Sequence, residues 1–249
     1  MFFMPMGFHM DPIQLLISLI GIPLTFLPQL WVKSTYKKFS LERNQRNMSG
    51  VQVAKDMLSR NQIFNVSVEE TPGELSDHYS PTEHVVRLSP DVYHGTSISS
   101  VAIAAHEVGH AIQHAQGYVP VVIRGQMFPI VNLGSQLGPM IFFGAIMLKL
   151  FMHMSGPLPF YLGILGIIFF GAAVAFHLVT LPVELDASAR ALKQVEANAY
   201  LSREELPKAK KVLTTAAFTY IAAATYALLE LVGMILRLLA MQNQSQREE

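Results

Sequence analysis

Long apolar blocks alternate with mixed, polar segments along this chain. Blocks at residues 13–32, 127–152, 158–183 and 214–240 are each long enough to cross a bilayer as a helix, which takes about 20 predominantly apolar residues. Pro23 and Pro28 fall in the first block, where a lipid-buried helix tolerates them as kinks. One such block could be a buried core helix, but four would need a far larger soluble core than 249 residues can build. The pattern therefore predicts an α-helical integral membrane protein with about four transmembrane helices. The segment MFFMPMGFHMD ahead of the first block carries no Lys or Arg, and no small-residue cleavage site follows, so the block reads as a retained span. A few residues, HMSGPLP, separate the second and third blocks and predict a helical hairpin.

The segment between the first two blocks has a different texture. Residues 49–60 place Val51, Ala54 and Leu58 on one face of a short amphipathic helix. Residues 63–69 alternate in part, and residues 84–88 are β-branched between Pro81 and Pro90; both predict strands, with Thr71-Pro72-Gly73 as a turn between them. Ser97, Ser99 and Ser100 offer N-caps for a helix over 98–116. On that helix Val101, Ala104, Ala105, Val108 and Ile112 form one stripe, and His106, His110, Gln113 and His114 the other. The closing QNQSQREE reads as a disordered tail.

Charge gives the blocks an orientation. Residues 33–126 hold Lys33, Lys37, Lys38, Arg43, Arg46, Lys55, Arg60, Arg87 and Arg124. Residues 184–213 hold Arg190, Lys193, Arg203, Lys208, Lys210 and Lys211, which leaves Lys149, Arg237 and Arg247 for the other side. The positive-inside rule puts both long connections in the cytoplasm of a multi-pass plasma-membrane protein. The organisation expected is a first span (1–32), a cytosolic region (33–126), a transmembrane hairpin (127–183), a cytosolic helical segment (184–213) and a last span with a short tail (214–249). Mean hydropathy is +0.34 and the formal net charge is zero, which fits a lipid bilayer as partner and argues against nucleic acid. With no cysteine, disulfides and thiolate metal ligands are excluded.

The densest chemistry is His106-Glu107-Val108-Gly109-His110. Four residues apart on a helix, the two imidazoles share a face and can reach one Zn2+ ion, while the Glu107 carboxylate stands beside it to take a proton from water. This is the minimal apparatus of a zinc-dependent peptidase. Three protein ligands are needed, and His114 is a poor third: it lies about 12 Å along the axis from His106. Gln113 and Gln116 stand where the metzincin extension requires Gly and His. Glu184, at the end of the third block and before a helical run over 186–198, faces the same side as the motif by the charge count. Read from the residues alone, Glu184 is equally a third ligand or an interfacial acid at a helix start.

Two runs, LSDHYSPTEHVVRLSPDVYHGTSISSVAIAAHEVGHAIQHAQGY (75–118) and LVTLPVELDASARAL (178–192), resemble the YugP-like family of membrane zinc metallopeptidases. That family is more distantly similar to the HtpX-like and CaaX-prenyl endopeptidases. The resemblance implies a small α+β, zincin-like cytosolic domain carrying the HExxH helix. It also implies zinc held by His106, His110 and Glu184, with Glu107 as general base. HtpX-like enzymes usually have Asp one residue after the Ala of the later Glu motif; here that position is Ser188, which leaves open the contact made by that Asp.

The expected activity is endopeptidase cleavage of a peptide or protein substrate, with Glu107 passing the water's proton to the leaving amine. Arg190, Tyr200 and His177 are candidates for a second group at the carbonyl oxygen. Asp77 and His78 are candidates to line a cleft or equally to form a turn before a strand, and Glu230 is expected to pair with a polar neighbour or lie close to the outer interface. The competing reading is a non-enzymatic membrane scaffold or chaperone partner with a structural zinc, closed by His114 or His78 as fourth ligand.

Overall fold

A computed structural model describes residues 12–150 and 156–248. MFFMPMGFHMD and the first residues of HMSGPLP lie outside the described residues. Seven helices and three strands follow in the order α1 (Pro12–Ser40), α2 (Gly50–Arg60), β1 (Ser67–Glu70), β2 (His78–Ser80), β3 (Val85–Leu88), α3 (Pro90–Tyr93), α4 (Ile98–Ala115), α5 (Val119–Leu150), α6 (Leu158–Ala197) and α7 (Leu206–Glu248). Four of them, α1, α5, α6 and α7, are long and apolar enough to cross a membrane.

Each of these four outruns the apolar block that predicted it. In α5 the helix starts eight residues early, and in α6 it continues through Pro182 and Glu184 to Ala197. Polar residues do not end a helix when its backbone bonds stay internal, so hydropathy alone set the predicted ends too tightly. For the same reason residues 242–248 form the end of α7 rather than a disordered tail.

The chain divides into two compact units. One comprises Leu27–Phe128 and His177–Ala222. Its three-stranded sheet has the order β1-β3-β2, with β1 parallel and β2 antiparallel to β3. Val86 at the centre pairs with Val68 on one side and Tyr79 on the other. Only two strands were legible in the sequence, and β1 starts at Ser67, not Ile63. The three-residue β2 is too short to show alternation, and Ile63 is buried just after the C-cap of α2.

The core of this unit lies around α4. Val53, Ala54, Met57 and Leu58 of α2, Val86 and Leu88 of β3, and Val101, Ala104, Ala105 and Val108 of α4 are all buried in one cluster. The face of α2 is thus centred on Val53 and Met57 rather than on Val51, which is half-buried. Its N-terminus is fixed by a capping box between Ser49 and Gln52, and α4 is capped by Ser97, whose hydroxyl accepts from Ser100 N–H. α6 joins through Ala187, Ala191 and Val195, a stripe at intervals of four that is fully buried. The polar stripe of α4 is largely covered too: Gln113 is inaccessible and His106, His110 and His114 are half-buried, while Glu107 beside them is buried. A helix polar on one side usually turns that side to water; here other polar groups receive it.

The other unit comprises the described residues of 1–26, 129–176 and 223–249. Here α5 and α6 approach at Gly138 and Gly166, where a Cβ on either would come within 3.0 Å of the other's carbonyl oxygen. Small residues at such crossings are how helices pack in lipid. Leu16, Leu19 and Ile22 of α1 and Ile130, Met140 and Phe143 of α5 are exposed, an arrangement that lipid accepts and water would penalise. Glu230 has the polar partners expected of it, Tyr226 and Arg237.

Candidate metal centre

His106 and His110 lie one helical turn apart on α4, with ring centroids 4.7 Å apart and ring planes nearly perpendicular. Glu184 enters from α6 two residues after Pro182. Its Oε2 is 3.4 Å from His106 Nε2 and 3.4 Å from His110 Nε2. These three side chains are a group whose donor atoms all lie within 4.8 Å of one another. His114 is not in that group: its Nδ1 hydrogen-bonds the Tyr79 hydroxyl at 2.9 Å.

The arrangement can be tested for a cation. A separation of 3.4 Å is longer than a good N–H···O bond, about 2.7–3.2 Å. Two ligands each about 2.0–2.1 Å from a tetrahedral ion would stand about 3.3–3.4 Å apart. Glu184 Oε2 is buried with no hydrogen-bond partner among the described residues, a costly state for a carboxylate oxygen unless a positive charge lies beside it. Burial works against a charged His110 imidazole, yet Glu184 and the negative charge of Glu107 outweigh it and hold its pKa above the ordinary histidine value. Two imidazoles and one carboxylate are a donor set suited to zinc, and the group fits that ion.

The other atoms of these side chains are held from behind. His110 Nδ1 is 3.0 Å from Gln113 Oε1, and His106 Nδ1 is 3.1 Å from Ser188 Oγ. With each Nδ1–H donating to oxygen, the Nε2 lone pairs are free to face Glu184. Gln113 Nε2 donates to Val183 O and to Asp186 Oδ2, both at 2.8 Å, so one buried amide ties α4 to α6 beside the site. Arg190 pairs with Asp186 and Gln116. Glu184 Oε1 accepts from Arg124 Nη1 of α5 at 3.1 Å, which divides the carboxylate between Arg124 and the histidine pair.

Gly109 completes the fit. A Cβ there would stand 2.6 Å from the Ala187 carbonyl oxygen, so the absence of a side chain in the middle of HEVGH lets α6 come close enough to deliver Glu184.

Two cavities open on the site, of about 210 Å³ and about 480 Å³. Both are lined by Asp77, His106, Glu107, Glu184 and Tyr220. His78 and Tyr79 of the edge strand β2 line the larger one. Asp77 accepts hydrogen bonds from the Ser89 N–H and hydroxyl; burial and the nearby Glu107 charge hold its pKa above the usual carboxylate value.

The three residues considered for the carbonyl oxygen do not line either cavity. Arg190 is engaged as above, the Tyr200 hydroxyl donates to Asp56 at 2.7 Å, and His177 lies elsewhere on α6. Tyr220 and Arg124 stand there instead. Neither had a motif: Arg124 was legible only as a positive charge before the second span, and Tyr220 only as an aromatic within the fourth.

Fold and site together define a helical protein with membrane-length helices and a candidate zinc centre shared by α4 and α6. Residues 14–239 match the family described as "Putative neutral zinc metallopeptidase". Over 220 residues the chain is 40% identical to the "Putative membrane protease YugP" of Bacillus subtilis (strain 168), covering 88% of this chain and 94% of that protein. The chain belongs to this zinc metallopeptidase family. No solved structure matches it.

Proposed function

We propose that the protein is a membrane-embedded zinc endopeptidase, with the ion held by His106 Nε2, His110 Nε2 and Glu184 Oε2. The carrying observation is the placement of the buried Glu184 Oε2, which has no hydrogen bond among the described residues, at 3.4 Å from both imidazoles. Bound there, zinc supplies Lewis acidity to a peptide carbonyl and makes water a usable nucleophile near neutral pH.

The chain's own groups do the rest. Glu107, buried between the two cavities, takes a proton from the attacking water and delivers it to the amine that leaves. Tyr220 donates its hydroxyl hydrogen to the carbonyl oxygen as negative charge develops. Arg124 holds Glu184 Oε1, so that Oε2 keeps facing the histidines. The edge of β2 offers an extended peptide a place to add as a further strand. A closed structural site would need a fourth donor; the group found among the described residues has three, and His114 and His78 turn their Nδ1 atoms to Tyr79 and the Ser76 carbonyl. The positive-inside count supports a cytoplasmic site in a multi-pass plasma-membrane protein.

The test is purified protein with Glu107→Gln beside it. Wild type binds one zinc and cleaves peptides; the variant keeps the zinc and loses cleavage. Cleavage undiminished in Glu107→Gln would refute the assignment.

A further inference from the structure

The two cavities that meet at Glu107 differ in size and in their unshared lining residues, though apolar surface predominates in both. Away from the shared residues, the larger one is of mixed character, with His78, Thr82 and Arg124 beside Val121 and Phe128. The smaller one is walled by Val32 of α1, Ile103 of α4, and Val212, Leu213, Ala216 and Ala217 of α7. Apart from Ser188, its polar groups are ones facing the reaction centre or the Tyr36 hydroxyl.

On α7 the wall has a regular construction. Val212, Ala216 and Tyr220 follow at intervals of four, and Leu213, Ala217 and Tyr220 at four and three, so all share one helical face. The cavity exists because that face carries alanine at 216 and 217 where it passes the site. Ala217 is buried, so a larger side chain there would project into the space.

We infer that this cavity is the specificity pocket of the enzyme, receiving one large, unbranched-at-Cβ apolar side chain, that of Leu, Met or Phe, from a residue flanking the scissile bond. The inference rests on the peptidase reading of the site. An apolar cavity of about 150 Å³ holds a benzene molecule, so about 210 Å³ is room enough for a leucine or phenylalanine side chain. Acidic side chains are rejected because the lining already holds the carboxylates of Asp77, Glu107 and Glu184. Glycine and alanine leave the space unfilled and forgo the apolar burial that a larger side chain contributes. Pockets of this kind discriminate by about 10–200-fold. The larger cavity, with more than twice the volume, is the less selective of the two.

Full-length protein in detergent, loaded with zinc, is incubated with a proteome-derived peptide library, and new termini are read by mass spectrometry for wild type, Glu107→Gln, Ala217→Phe and the milder Ala217→Val. Expected are cleavages absent from Glu107→Gln, with Leu, Met and Phe enriched about tenfold or more at a single flanking position. Ala217→Phe shifts that position to Gly, Ala and Ser while zinc content stays at one, and Ala217→Val shifts it part of the way. Glu107-dependent cleavage with no apolar enrichment at either flanking position overturns the inference and leaves the peptidase reading intact. Enrichment unchanged in a zinc-loaded Ala217→Val or Ala217→Phe overturns the assignment to this pocket. If no cleavage depends on Glu107, the peptidase reading fails and the pocket assignment with it.

Discussion

Ser188 Oγ stands 3.1 Å from His106 Nδ1, across the junction of α6 and α4. It occupies the position where HtpX-like enzymes usually have an aspartate, and it makes a contact behind the histidine that the sequence alone left open. A hydroxyl can accept from Nδ1–H as a carboxylate would, though without its charge. Ser188→Ala is expected to weaken zinc affinity by about 10–100-fold, and Ser188→Asp to restore or exceed the wild-type value. Competition with a calibrated chelator reads both; equal affinity in all three proteins would show that the contact does nothing.

Gly109 makes the sharpest demand for space. The Cβ of Gly109→Ala would meet the Ala187 carbonyl oxygen at 2.6 Å, and backbone on both sides leaves little to yield. The expected outcome is a loss of about 1–3 kcal/mol from overpacking, with α6 displaced and Glu184 withdrawn from the histidines. Thermal unfolding should show the lower stability, and zinc titration a weaker site. His106 and His110 remain, so residual binding by the pair alone is expected.

How much of this was written in the sequence depends on the range of the interaction. HEVGH was legible because its two histidines lie one turn apart on one helix, a local spacing. Glu184, 74 residues beyond His110, was an even choice between ligand and interfacial acid until the resemblance was considered. Its geometry depends on Gly109 and Gln113 of α4 meeting Ala187, Val183 and Asp186 of α6, and periodicity within either helix does not show which residues of the other it meets. Gln113 was legible only as a member of a polar stripe because its partners, Val183 O and Asp186, belong to another helix. The four membrane-length helices were visible because hydropathy is additive along a block, but their ends were not, since α6 and α7 run on through polar residues. β2 escaped notice because three residues cannot display a period of two.

Asp77 links the site to pH. Burial and the Glu107 charge raise its pKa in the folded protein above the usual carboxylate value, so the folded state binds this proton more readily than the unfolded chain does. The ionised carboxylate therefore lowers stability above the raised pKa. That cost disappears as pH falls through the raised value toward the unfolded value near 3.8. Asp77→Asn keeps an acceptor for the Ser89 N–H and can donate to its hydroxyl. It is expected to be at least as stable as wild type at pH 7, with any advantage shrinking as the solution is acidified. Melting temperatures of the two metal-free proteins across pH 4–8 would check this, and an advantage that grows toward low pH would contradict it.

Tyr220 is the side chain whose role motif reasoning had no means to find. It lines both cavities with Glu107 and Glu184, on the helix face that also carries Ala216 and Ala217, so a peptide bond placed over the histidine pair would lie within its neighbourhood. A hydroxyl serving the developing oxyanion matters more in the transition state than in the bound substrate, and its loss should therefore fall on kcat rather than KM. Tyr220→Phe removes one oxygen atom and leaves the packing of the ring in place. It is expected to lower kcat by about 10²–10³-fold with KM and zinc content near their wild-type values. A matching rise in KM with kcat preserved would instead make the hydroxyl a substrate contact, and a loss of zinc would make it a support for Glu184.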